Sequence, residues 1–315
     1  MAAPKLPHEV IVMMADRDVR MHHYLWHQVR NMWLFYDEAT RDEIRALGWE
    51  PPRPGLRPGP DGRPQIAFDN DSGEDFLYMH RQMIAEVNKV LARVGDPCYP
   101  SVMGWAPIPR PDDADYPVPP PWDTGDDGFN AYLEEVKSVE HFEADFVTWE
   151  QRYTDPEQLR QWSLGQFGTV LEYTIHNEMH MRWAAEPAAM RPDVGDTSPD
   201  DIDPSWDDPA YDYLGDTYSS HVNPVFWKLH GWIDDRIEDW RLAHGLDEVT
   251  WTGTWVGNMP HGHEGEDPHA LLTSLPDTPA LSGHEHGHHT GDMGKVLAAV
   301  KRSGTFHQFR TRLDL

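Results

Sequence analysis

The sequence has little cysteine and little positive charge. Its single cysteine, Cys98, has no second cysteine to pair with, so no internal disulfide can form. Lys and Arg total 26 against 54 Asp and Glu, which gives a formal charge of −28 over 315 residues. Because such an acidic chain does not easily form a basic face to neutralise phosphates, we expect no nucleic-acid partner.

Long apolar runs are also missing. No stretch of the sequence approaches the roughly 20 apolar residues that cross a bilayer. Residues 1–20 do not show a basic start followed by an apolar run, so we predict no secretory signal. The expectation is a soluble, cytoplasmic protein with no membrane partner.

Apolar residues recur at helical spacing in segments that are separated by long loops rich in proline and glycine. This pattern predicts helices over 18–47, 75–94, 129–150, 156–183 and 224–244. It shows no internal repeat and no convincing series of strands. We therefore predict a mainly α-helical fold with long irregular loops, made of one helical domain over 1–256 and a partly flexible C-terminal segment over 257–315.

The C-terminal segment is rich in His, Gly and Pro. Seven of the nineteen histidines of the chain lie between His261 and His289. One interpretation is a flexible segment that captures metal ions. The alternative is a solvated tail with no such role.

Two histidine pairs stand out before this segment. His23 and His27 are four residues apart on one predicted helix, and His176 and His180 repeat the spacing on another. In an α-helix this spacing places both rings on one face, one turn apart. Each pair can therefore present two imidazoles in the same direction.

Two further predicted helices carry one histidine each, His80 and His230. Four helices thus offer two sets of three imidazoles, enough to hold two metal ions in the core of a bundle. A di-iron site would be expected to show Glu three residues before a ligand histidine, and neither His176 nor His180 has one. Imidazoles without thiolates or carboxylates suit copper, zinc or nickel, and we expect copper. The alternative is a chance pattern of buried core histidines.

The residues around the histidines extend the pattern. Residues 22–27 read HHYLWH, 76–82 read FLYMHRQ, 176–180 read HNEMH and 223–234 read NPVFWKLHGWID. These four segments resemble the type 3 copper proteins, which are the tyrosinases, catechol oxidases, phenoloxidases and hemocyanins. The last segment is similar to the family's Asp-Pro-x-Phe-x-x-x-His-x-x-x-Asp and differs only in Asn223. The His23/His27 pair is most similar to the arthropod hemocyanins and phenoloxidases.

The resemblance implies a central antiparallel four-helix bundle, within residues 1–256, that holds two copper ions. The implied ligands of the first copper are His23, His27 and His80. The implied ligands of the second copper are His176, His180 and His230.

The resemblance also implies an activity. In this family the copper pair uses O2 to hydroxylate phenols or to oxidise catechols, or it only carries O2. It therefore implies a copper oxidase or monooxygenase that acts on a phenolic or o-aminophenolic small molecule or on a tethered tyrosine-like substrate. Natural-product biosynthesis is one setting, and a copper chaperone is a candidate partner. The alternatives are a hemocyanin-like O2-binding protein, a mononuclear or zinc protein, and a structural helical protein.

Three more residues are implied to act at the site. Phe226 stands where family members often place an aromatic ring above the first copper, with a core phenylalanine as the alternative. Asn177 matches an asparagine that, together with an upstream glutamate, holds the water that takes the phenolic proton. Phe167 occupies the glutamate position, and Glu172, four residues before His176, is the candidate substitute. We therefore favour diphenol oxidation over monophenol hydroxylation.

Overall fold

A computed structural model of the protein describes residues 6–191, 203–258 and 289–305. Helices make up 57% of the structure and strands 2%, which confirms the predicted mainly helical class. No helix in these ranges is long and apolar enough to cross a membrane. The predicted metal-capturing histidines between His261 and His288 lie outside the described residues.

The elements follow each other in a simple order. The α-helices are α1 (His8–Ala15), α2 (Arg17–Met32), α3 (Glu38–Ala46), α4 (Ser72–Val94), α5 (Asp127–Lys137), α6 (Val139–His141), α7 (Val147–Arg152), α8 (Pro156–Leu159), α9 (Leu164–Leu171), α10 (Asn177–Trp183), α11 (Pro224–Ala243) and α12 (His289–Ser303). Two π-helical turns, Phe142–Phe146 and Glu172–His176, join α6 to α7 and α9 to α10. The 3-10 turns are Trp33–Phe35, Pro204–Asp207 and Ser220–Val222. Strands β1 (Leu56–Pro58) and β2 (Pro64–Ile66) pair in antiparallel fashion.

Three predicted long helices are divided in the structure. The helix predicted over 129–150 is interrupted at Ser138, whose extended backbone ends α5 and whose side chain caps α6. The helix predicted over 18–47 ends after the Trp33–Phe35 turn, and α3 starts anew because the Asp37 side chain accepts a hydrogen bond from the backbone N–H of Thr40. The helix predicted over 156–183 is interrupted where Ser163 caps α9, and again at the π-helical turn Glu172–His176. Helix α1 was not predicted. Helix α11 ends at Ala243, one residue before the predicted end at 244.

Helices α4 and α9 approach each other to backbone contact. A Cβ atom on Gly73 would overlap the backbone of Thr169, and one on Gly168 would overlap the backbone of Gly73. Only glycine allows such a close approach at these positions. Helix α4 carries His80, and α9 continues through the π-helical turn to His176, so this contact fixes two histidine-bearing elements relative to each other.

Part of the predicted C-terminal segment packs on the rest of the structure. Helix α12 lies against α2 and α3, and its side chains of Val296 and Val300 are buried. Beyond the helix, the Thr305 carbonyl accepts a hydrogen bond from the Gln28 side chain of α2 at 2.8 Å. The C-terminal helix therefore covers a face of the helix that bears the first histidine pair.

Candidate metal centre

The six histidines predicted as ligands lie together in the core, and none is more than 3% exposed. Ring nitrogens of His23, His27 and His80, one from each residue, lie within 4.8 Å of one another. The same holds for His80, His176 and His230. Each group could hold one metal ion, and His80 belongs to both.

His180 borders the second group. Its Nε2 atom is 3.4 Å from Nε2 of His230, and its ring centroid is 4.6 Å from that of His176. The sequence predicts His180 as the third ligand of the second ion, whereas the tighter group in the structure contains His80 at that place. The role of His180 as a ligand stays a prediction.

Backbone carbonyls orient several of the rings. Three histidines donate the Nδ1–H to a carbonyl, and the pairs are His23 with Thr217 at 2.6 Å, His80 with Phe76 at 2.8 Å and His180 with Leu214 at 2.8 Å. Because a carbonyl can only accept, Nδ1 carries the proton in each ring and Nε2 keeps a lone pair. This tautomer is the one that a ligand histidine adopts when it binds a metal through Nε2.

Several ring nitrogens of the cluster are buried without a hydrogen-bond partner, namely Nε2 of His23, Nε2 of His80 and Nδ1 of His230. Buried polar atoms in folded proteins normally have a partner. Unpartnered ring nitrogens in a buried cluster of imidazoles, with no carboxylate in either group, suit copper or zinc. The residues present therefore fit the metal that the sequence resemblance implies.

Burial keeps the imidazoles neutral. It lowers the pKa of His23 to about 3, against the opposing effect of the hydrogen bond to Thr217. It lowers the pKa of His180 to about 4. The pKa values of His80 and His230 are also held well below the usual range, first by burial and then by neighbouring histidines. Neutral rings are the form that binds metal ions.

Phe226 packs in the middle of the cluster. Its ring centroid is 3.9 Å from that of His230, 5.7 Å from that of His23 and 5.7 Å from that of His180. The side chain is 1% exposed. Phe226 therefore packs against histidines of both predicted sets, with the shortest of these ring distances to His230 of the second set. Its position above the first copper and its gating role stay predictions.

The two predicted proton-handling residues are in different situations. Asn177 lies at the cluster, where its Oδ1 atom is 3.0 Å from Nδ1 of His176. Both carboxylate oxygens of Glu172 instead accept hydrogen bonds from Arg30. The π-helical turn Glu172–His176 is wider than an α-helical turn, so the spacing of four residues does not place Glu172 directly below His176. Its role as a base stays a prediction.

Sequence reasoning missed His221. This histidine is fully buried in the turn Ser220–Val222, and its Nδ1 atom lies 3.0 Å from Nδ1 of His23. Its ring also packs against Phe226, with centroids 6.1 Å apart. The turn is too short to show helical periodicity, so the only available signal was its position just before the Asn-Pro that starts α11.

Comparison with known proteins gives no assignment for this centre. No protein family and no curated protein matches the chain. The function of the centre therefore has to be inferred from its side chains.

Proposed function

We propose that the protein is a dinuclear copper oxidoreductase that uses O2 on a phenolic substrate. The observation that carries this proposal is the pair of overlapping three-histidine groups, buried and free of carboxylates. An all-imidazole set of ligands favours copper or zinc over magnesium or calcium. The resemblance of the four short segments to type 3 copper proteins favours copper.

The ligands proposed for the two ions lie on four helical elements, namely α2, α4, the π-helical turn Glu172–His176 with α10, and α11. The ligands proposed for the first ion are His23, His27 and His80, and those proposed for the second ion are His176, His180 and His230. When bound, the copper pair would supply the electron transfer to O2 that the protein's own side chains cannot perform.

The chain itself orients the ligands and excludes water. The carbonyls of Thr217 and Leu214 fix the tautomers of His23 and His180. Phe226 is buried among the rings, where its apolar side chain would disfavour water at the centre. Asn177 holds the ring of His176 through Nδ1. These contacts orient the rings, and burial keeps them neutral.

The substrate that this arrangement favours is an o-diphenol or an o-aminophenol. Hydroxylation of a monophenol needs a base for its proton, and the resemblance implies a glutamate that, with an asparagine, holds the water acting as this base. Arg30 binds both oxygens of Glu172, and neither histidine group contains a carboxylate. This o-diphenol or o-aminophenol could be a free small molecule or a group tethered to a carrier, whereas a tethered tyrosine-like group would first need hydroxylation.

The test is to load the protein with copper, reduce it and expose it to air. We expect two coppers per chain, a new near-ultraviolet absorption on exposure to air, and O2 uptake with a catechol. His176→Ala and His230→Ala should each reduce the copper content. His244→Ala is the matched control, because His244 directly follows α11 and hydrogen-bonds to the Trp240 carbonyl, outside the cluster.

Less than one copper per chain in the wild-type protein would contradict the proposal. Equal copper loss in His244→Ala and His230→Ala would contradict it as well, because binding would then not depend on the cluster.

A hemocyanin-like O2-binding protein is the second candidate. It is favoured by the burial of the centre, since the six histidines are at most 3% exposed and Phe226 is 1% exposed. Both candidates predict copper binding and the near-ultraviolet absorption. They differ with catechol, because a carrier would bind O2 reversibly and consume none.

A further inference from the structure

One loop supplies the carbonyl groups that hold a histidine from each predicted ligand set. In the 211–218 loop, the Thr217 carbonyl accepts from Nδ1 of His23 at 2.6 Å. Three residues earlier, the Leu214 carbonyl accepts from Nδ1 of His180 at 2.8 Å. His23 is on α2 and His180 is on α10, so this loop connects the two halves of the centre.

A half-buried carboxylate, that of Asp216, lies between these two carbonyls in the loop, and its side chain is 14% exposed. Two nitrogens of the Arg191 guanidinium donate to Asp216, each at 3.1 Å. The Tyr211 hydroxyl donates to Asp216 at 3.2 Å, and the backbone N–H of Tyr218 donates at 3.1 Å. Asp216 therefore fixes the conformation of the loop from within, because its carboxylate bonds to both ends of it.

The loop is also fastened to the helix of the first histidine pair. The fully buried Arg20 on α2 donates to the carbonyls of Asp208 and Tyr211, each at 2.9 Å, and to that of Tyr218 at 3.4 Å. Arg20 precedes His23 by three residues, so both face the loop from the same side of α2. The position of the loop relative to His23 is thereby fixed at several points.

We infer that Asp216 is a positioning residue that, through the carbonyls of Leu214 and Thr217, sets the tautomer and orientation of His180 and His23 together. The expected effect of Asp216 on copper binding rests on the proposed function, whereas its expected effect on the tautomers of His23 and His180 does not. Partners that orient ligand histidines typically contribute about 10–100-fold to metal affinity. Loss of the Asp216 carboxylate should therefore affect both ligand sets at once.

The test uses the metal-free protein with ¹⁵N-labelled histidine rings. In the wild-type protein, NMR should show protonated Nδ1 and unprotonated Nε2 for both His23 and His180. In Asp216→Asn both histidines should lose this single tautomer together. His80 should stay unchanged, because its Nδ1 donates to the Phe76 carbonyl within α4.

Two more variants keep the test decisive. Tyr211→Phe removes one of the donors to Asp216 and should change the same two ring signals to a smaller extent. This variant provides the test if Asp216→Asn does not fold. Ile44→Ala removes buried side-chain volume on α3, away from the loop, and should leave both ring signals unchanged. Ring signals that change equally in Ile44→Ala would overturn the inference, because general loosening would explain them.

Copper binding separates this inference from the proposed function. We expect Asp216→Asn to bind copper about 10–100-fold more weakly than the wild-type protein in competition with a chelator. Unchanged signals of His23 and His180 in the folded variants overturn the inference, and so does a change at only one of them. If the wild-type protein binds no copper but the two ring signals still change together, the proposed function fails and the positioning role stands.

Discussion

The buried ion pair between Arg30 and Glu172 predicts a large cost for the removal of either charge. Nη1 of Arg30 donates to one carboxylate oxygen at 2.7 Å and Nη2 donates to the other at 2.9 Å. The side chains are 0% and 2% exposed. The substitution Glu172→Gln would leave the guanidinium buried and charged, facing an amide with only one acceptor oxygen.

The magnitude follows from the geometry. Removal of one partner from a buried ion pair costs about 3–5 kcal/mol. Two charge-assisted hydrogen bonds, at about 1.5–3 kcal/mol each, give a similar figure. We therefore expect Glu172→Gln to lower the free energy of unfolding by about 3–5 kcal/mol, a large part of the about 5–15 kcal/mol typical of native proteins. The double variant Arg30→Met/Glu172→Leu should regain much of this loss, because it buries no unpaired charge.

The assay is urea unfolding of the metal-free proteins, with both single variants and the double variant compared in a cycle. Glu43→Gln is the matched control, since it breaks the exposed ion pair between Glu43 and Arg302 and should cost at most about 1 kcal/mol. If Glu172→Gln costs no more than this control, the buried pair does not stabilise the fold and the reasoning is refuted.

Three single substitutions test the centre and its surroundings. Because His80 belongs to both groups, His80→Ala should lower the copper content of the loaded protein more than His27→Ala, and equal losses by elemental analysis would contradict the shared position. Phe226→Ala should lower the free energy of unfolding in urea by about 3–5 kcal/mol, because it empties the middle of a buried cluster. Burial alone would raise the pKa of Asp216, but the Arg191 guanidinium outweighs it and holds this pKa below the ordinary value of 3.8. Asp216 therefore stabilises the fold fully above that pH and loses this contribution as the pH falls through the lowered pKa, so Asp216→Asn should flatten the acid side of the stability curve.

The helices could be predicted where the signals are local. Asn223 caps α11 and Pro224 begins it, and both are readable in the sequence. The break before α3 is different, because Trp33, Phe35 and Tyr36 continue the apolar spacing of a helix. Asp37 is as ordinary on a helix surface as at a helix start, so only packing decides that it caps α3.

In the candidate site, too, some features follow from local sequence and others depend on packing between distant segments. His23 and His27 lie on one face of their helix because of helix geometry alone. The position of His80 in both three-histidine groups depends instead on tertiary packing. The partner of Glu172 could not be predicted, because Arg30 is 142 residues away in the chain. The π-helical turn that redirects Glu172 toward it has no recognisable local sequence pattern.

The backbone contact between α4 and α9 has a consequence for redesign of the centre. Because Gly73 and Gly168 bring the two main chains together, no side chain fits between these helices at their contact. A protein engineer could exchange ligand residues to recruit a different metal and keep the same framework. The glycines, more than the histidines, would then be the residues that such an experiment must leave in place.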